Sequence, residues 1–120
     1  MTERALALKA ADILYGKKAR DIVVLKVSHL TILTDYMVIA TGRTAIQVKA
    51  LAEEVDDRLS EEGMNMRRQE GRDEGRWIVM DYGSVMVHLF HQEERTFYNL
   101  ERLWDDGGNR EILPFKQEDA

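Results

Sequence analysis

Cysteine is absent from this sequence, and that one absence removes disulfides, thiolate nucleophiles and cysteine-based zinc sites together. It also suits a reducing compartment. No apolar run approaches the ~18–20 residues that a membrane-spanning helix needs. The opening stretch, MTERALALKAADILYGKKAR, lacks the uninterrupted apolar region and small-residue cleavage site of a secretory signal, and Glu3 and Asp12 speak against a transit peptide. The expectation is a soluble cytoplasmic protein. Internal repeats and low-complexity segments are missing too. The 120 residues therefore read as one domain, large enough to bury roughly two-thirds of the surface its unfolded chain exposes.

Positive charge is in short supply. Formal net charge is −5, and it is unevenly spread. Residues 1–20 carry five bases against two acids, residues 47–62 six acids against two bases, and residues 105–120 five acids against two bases. An acidic domain is poorly suited to gripping phosphate backbones, whose affinity rests on basic neutralisation, so direct sequence-specific nucleic-acid binding is not expected. A basic protein partner fits the field better.

What is present reads as alternating helices and strands. Leu6, Ala10, Ile13 and Leu14 form one stripe of a helix over residues 3–15, with Thr2 as N-cap and Gly16 as stop. Residues 21–27 and 36–41 are β-branched and nearly continuous in apolar character, the mark of strands covered on both faces. Thr44 followed by Gln47 matches a capping box. The helix it opens shows Val48, Leu51, Ala52, Val55 and Leu59 on one face, and Gly63 ends it. Residues 64–69 make a weaker edge strand. Residues 77–81 and 84–90 form a hairpin joined at Tyr82-Gly83. A last helix, Glu93 to Trp104, is expected to bury Phe97, Leu100 and Trp104, and the residues after Gly108 read as a loose acidic tail. The fold class is therefore α/β: a single domain with a mixed five-stranded sheet flanked by helices over residues 1–105, and an acidic C-terminal tail at 106–120.

Candidate chemistry is sparse. The turn Thr41-Gly42-Arg43-Thr44 leaves a strand and opens a helix, a place where backbone N–H groups hold anions, but it lacks the further glycines and the lysine of a phosphate loop. His88 and His91, with Glu94 beyond, suggest metal ligands only until the strand period is applied. Neighbours three apart point to opposite faces, so no metal site is expected. Asp35, Asp81 and Glu101 are candidate acids for acid–base or magnesium chemistry, yet no partnered base or nucleophile accompanies them, and turn or capping roles explain the first two. No catalytic residue and no cofactor is expected. A nucleotide-binding enzyme using the Gly42 turn with Asp35 or Asp81 stands as the alternative to a binding module.

Aromatics concentrate late in the chain: Trp77, Tyr82, Phe97, Tyr98 and Trp104. Trp77 shares a strand face with Val79 and Asp81, and Tyr98 and Glu101 share a helical stripe that cannot all face inward on so short a helix. Aromatic residues beside acids suit a protein interface. Composition alone supports equally that they are core or incidental surface.

The motifs Leu33-Thr34-Asp35-Tyr36-Met37-Val38-Ile39-Ala40-Thr41-Gly42, Glu70-Gly71, Gly75-Arg76-Trp77, Asp81-Tyr82-Gly83, Val87-His88-Leu89-Phe90 and Phe97-Tyr98-Asn99-Leu100-Glu101-Arg102-Leu103-Trp104 occur in this order. In them the chain resembles the ribosomal silencing factor family, also called RsfS, Iojap or YbeB-like, over about residues 5–105. The resemblance implies a nucleotidyltransferase-like topology without that superfamily's paired catalytic aspartates. It also implies a translational repressor active in stationary phase and nutrient limitation. Such a repressor would bind the large ribosomal subunit through ribosomal protein L-fourteen, block association with the small subunit, and form homodimers. Carried over by motif, the partner-binding residues would be Trp77, Asp81, Tyr82, Tyr98, Glu101 and Trp104, with Met80 and Asn99 beside them.

Overall fold

The structure, a computed structural model, describes residues 1–117. Helix α1 (Glu3–Gly16) begins at Thr2, whose hydroxyl accepts the Ala5 N–H at 3.0 Å. Strands β1 (Arg20–Lys26) and β2 (Tyr36–Gly42) follow, then helix α2 (Ala45–Glu61), strands β3 (Arg68–Glu70), β4 (Trp77–Asp81) and β5 (Val85–His91), and the short helices α3 (Gln92–Tyr98) and α4 (Glu101–Trp104). The cap of α2 forms as its sequence dictates, with the Gln47 side chain reaching back one residue beyond Thr44. Thr44 Oγ1 accepts the Gln47 N–H at 3.0 Å, and Gln47 Oε1 accepts the Arg43 N–H at 2.6 Å.

The strands form one sheet in the order β1-β2-β5-β4-β3. The β2–β5 pair is parallel and the other pairs antiparallel. This is the mixed five-stranded sheet flanked by helices that the sequence predicts. Helices α1 and α2 cover one face with their apolar stripes, burying Ile22, Val24, Val38, Ala40, Ile78, Met80, Val87 and Leu89. On the opposite face Leu100 closes over Val23, Leu25, Met37, Ile39 and Phe90, with Trp77 and Trp104 at the margin. That second layer is incomplete: Val79, Asp81 and Met86 on the same face stay half-buried.

Three expectations need correction. The weak strand at 64–69 contracts to Arg68–Glu70, the only stretch there laddered to β4. The last helix is not continuous. Asn99 takes a left-handed backbone (φ 45°) and ends α3, donating its N–H to the Arg95 carbonyl at 3.0 Å. Asparagine tolerates that conformation, and the break turns Leu100 into the core while leaving Phe97 outside.

The stretch after Gly108 is not loose where it is described. Backbone hydrogen bonds tie it to β1, from the Lys26 N–H to the Asn109 carbonyl at 2.9 Å and from the Glu111 N–H to the Val24 carbonyl at 2.8 Å. The Gln117 side chain bonds both backbone groups of Ile22, and Phe115 stacks on Tyr15 with ring centroids 4.2 Å apart. The cause is β1's outer edge, whose unpaired backbone groups need a cover. Residues 118–120 of the expected tail lie outside the described residues.

Candidate functional site

Strand β4 alternates cleanly. Ile78 and Met80 are buried against the α1–α2 layer, while Trp77, Val79 and Asp81 lie half-buried on the other face. Trp77 is the centre of that face. Its ring stacks on Phe90 (4.9 Å between centroids) and lies tilted against Tyr98 (4.8 Å). Its indole N–H donates to His88 Nδ1 at 3.2 Å. An indole only donates, so His88 Nδ1 is the acceptor and the ring proton sits on Nε2. Burial pushes the His88 pKa down to about 4, keeping the imidazole neutral under Trp77.

Around this centre the α3–α4 corner exposes large apolar groups. Tyr98 is 47% exposed, Phe97 80% and Leu103 66%, and Phe97 meets Tyr98 edge-on at 5.0 Å. Exposure at Phe97 overturns its expected place in the core. The result is an aromatic corner beside an open half-sheet.

The structure brings only some of the expected residues to this surface. Trp77 and Tyr98 touch, Asn99 is exposed at the corner, and Trp104 is half-buried at the rim. Asp81 shares the face but sits at the far end of β4, where Oδ1 accepts the Gly83 N–H at 2.7 Å. Glu101 turns inward to Arg95 at 2.8 Å. Met80 and Tyr82 do not belong to the surface. Met80 is fully buried on the opposite face, because alternation puts it there. Tyr82 is buried against α2, its hydroxyl donating to Asp56 at 3.1 Å, and burial with the adjacent Asp56 carboxylate pushes its pKa well up. Met86 joins the surface, and Leu103 is exposed on α4, without either having been singled out. Met86 was findable by register, since it pairs with Asp81, whereas Leu103 depended on the break at Asn99.

The other candidates resolve into structural roles. In the Gly42 turn, Gln47 takes the Arg43 N–H and Thr44 takes the Gln47 N–H. Asp35 and Asp81 lie at the opposite end of the sheet from Gly42, about 20 Å along β2 at the usual strand rise, so no single site joins the turn to either acid. His91, Glu93 and Glu94 bring ligand atoms within 4.8 Å of one another. The Arg76 guanidinium already serves them as cation, donating to Glu93 at 3.1 Å and Glu94 at 2.8 Å, and its bond holds the Glu94 carboxyl below the usual range.

The model of the family described as "Ribosomal silencing factor during starvation" matches residues 1–120. The Bacillus subtilis ribosomal silencing factor RsfS is 40% identical over 106 residues, covering 88% of this chain and 90% of that protein. The chloroplastic protein Iojap of Arabidopsis thaliana is 33% identical over 114 residues, spanning 95% of this chain and 47% of its own. Among solved structures, a Chromobacterium violaceum protein superposes with a TM-score of 0.85 at 35% identity, covering 98% of this chain and 96% of that one. A Bacillus halodurans protein gives 0.75 at 36% identity, covering 92% and 96%. With its fold, its late-strand motifs and these relatives in agreement, the chain belongs to the ribosomal silencing factor family.

Proposed function

We propose that this chain is a non-enzymatic, cytoplasmic translational repressor that docks on the large ribosomal subunit through ribosomal protein L-fourteen. Docked there, it keeps the small subunit from joining when nutrients are limiting. The observation that carries the reading is the exposed aromatic corner: Tyr98 packed on Trp77, with Phe97 open to solvent against Tyr98. Contiguous exposed apolar surface on a folded domain marks an interaction site, and Trp and Tyr anchors contribute most of the binding energy at such sites. The chain's net charge of −5 favours a basic partner such as a ribosomal protein. The mechanism needs no chemistry and no cofactor: affinity and bulk at a surface required for subunit joining suffice.

Within this reading Trp77 and Tyr98 are the anchors, Asn99 and Trp104 flank them, and Asp81 offers its carboxylate to the basic partner. Met80 and Tyr82, buried on the sheet's opposite face, make no contact with the partner. A homodimer is compatible with the same apolar corner.

Co-sedimentation of the purified protein with separated ribosomal subunits, then with both mixed, tests the proposal. Binding to the large subunit alone, with fewer joined ribosomes, is the expected outcome. Absence of binding to either subunit would overturn it. A parallel calorimetric titration with nucleotides and magnesium is expected to be silent.

A further inference from the structure

We propose that Arg95 and Glu101 form a latch that positions the Tyr98 corner for its partner, and that neither side chain touches that partner. The inference rests on the interface reading above, and it gives Glu101 a different task from the partner contact carried over by motif.

Arg95 is the one buried residue of α3, 8% exposed on a helix of seven residues. A helix that short has little stability of its own and takes its place from tertiary contacts. The Arg95 guanidinium supplies them from three other elements at once. Its Nε donates to both Glu101 carboxylate oxygens at 3.2 and 3.1 Å, and Nη2 donates again to Glu101 at 2.8 Å. Nη1 donates to Thr41 Oγ1 at 2.8 Å, at the end of β2, and Nη2 to the Asp21 carbonyl at 2.9 Å, in β1. One rigid fork thus fixes α3 to α4 and both to the sheet.

The acceptors are delivered by unusual backbone. Asp21 lies where the β1 register shifts between Arg20 and Val23, and its φ is 48°. A bulge of this kind frees a carbonyl from the ladder and aims it elsewhere. Asn99, at φ 45°, makes the reversal that returns Glu101 to Arg95. Left-handed backbone at non-glycine residues is costly and persists where the surroundings over-determine it. Of the three such residues among those described, Lys18, Asp21 and Asn99, the last two serve the same guanidinium.

The consequence is geometric. Tyr98 stands three residues beyond Arg95, with its ring 4.8 Å from Trp77. Leu100 is the corner's single buried apolar anchor, and one anchor leaves rotation about it unopposed. The latch removes that freedom before the partner arrives, which spares the ordering cost at binding.

The test is the double variant Arg95→Met/Glu101→Met. Removing both charges together leaves neither unpaired, so thermal unfolding should stay close to the parent's. The readouts are affinity for isolated large subunits and the Trp77 indole N–H signal in 1H–15N spectra, assigned with Trp104→Phe. That signal feels the ring current of Tyr98. The expected result is a Trp77 signal displaced toward its position in Tyr98→Leu, together with a loss of affinity of at least about tenfold. Arg95→Lys keeps the charge without the fork and should displace the signal in the same direction; it also serves if the double variant fails to fold. A folded double variant with the parent's Trp77 signal would overturn the latch. So would Glu101→Gln losing affinity with the signal unmoved, since Glu101 would then be a direct contact. If the unmodified protein binds no large subunit, the functional reading fails by itself, and the indole signal still decides whether the latch positions Tyr98.

Discussion

The Trp77 indole N–H donates to His88 Nδ1 at 3.2 Å, so the largest aromatic group of the candidate interface is seated on a neutral, buried imidazole. Protonation of Nδ1 would set two donors against each other and break the seat. The strand register makes this pair. Trp77 is laddered to Phe90 and His88 to Val79, all on one face of β4 and β5.

Stability should therefore fall in mild acid. The folded His88 pKa is about 4 against ~6.5 for a free histidine. Between those values the unfolded chain takes up a proton that the folded chain refuses. Stability from this group is complete above about pH 6.5 and is lost as pH falls toward 4, by about 3 kcal/mol in all. Denaturant unfolding across this window, compared with His88→Leu, checks the slope. The variant should lose this component and keep those of the carboxylates.

Binding should depend on the aromatic corner and not on its fully buried neighbours. Trp77→Ala or Tyr98→Ala is expected to weaken large-subunit binding by more than about 1 kcal/mol. Tyr82→Phe, which removes the hydroxyl bonded to Asp56, should cost about 1 kcal/mol of stability and leave affinity unchanged. Unaltered affinity in a folded Trp77→Ala/Tyr98→Ala protein would remove both from the interface.

The break at Asn99 predicts opposite behaviour for two residues of one expected helix. Phe97 is exposed, so Phe97→Ala should change stability by less than about 0.5 kcal/mol. Leu100 is buried in the second core, so Leu100→Ala should cost roughly 2–4 kcal/mol. Paired chemical denaturation curves decide it. Equal losses would mean that α3 and α4 form one continuous helix in solution.

Two glycines with nearly the same backbone angle should respond differently to alanine. Gly71 has φ +84°, and an added Cβ would lie 1.9 Å from the Trp77 carbonyl oxygen. Gly63 has φ +81° with nothing within 4 Å. Gly63→Ala should cost only the left-handed penalty, about 1–2 kcal/mol. Gly71→Ala carries that penalty plus displacement of the chain entering β4, and should also lower affinity because Trp77 moves with it. Comparable losses at both sites would contradict the close approach.

Much of this protein was determined by short-range sequence information. The Thr2 cap, the Thr44–Gln47 capping box, the apolar stripe of α2, the buried strand β2 and the β4–β5 hairpin each follow from residues within a few positions of one another, where propensity and period act directly. The family, too, was legible from motifs spread along the chain. The tertiary structure decided what depends on which neighbour a surface meets. Phe97 and Leu100 share a helical stripe in sequence, but Asn99 adopts a left-handed backbone across which Arg95 and Glu101 close, and no local pattern records that closure. The C-terminal stretch reads as loose because it is polar, yet the open edge of β1, more than eighty residues earlier, orders it through backbone hydrogen bonds that carry no sequence signature. Met80 and Tyr82 sit beside interface residues in sequence and lie against the helices in space, since adjacent positions on a strand face opposite ways.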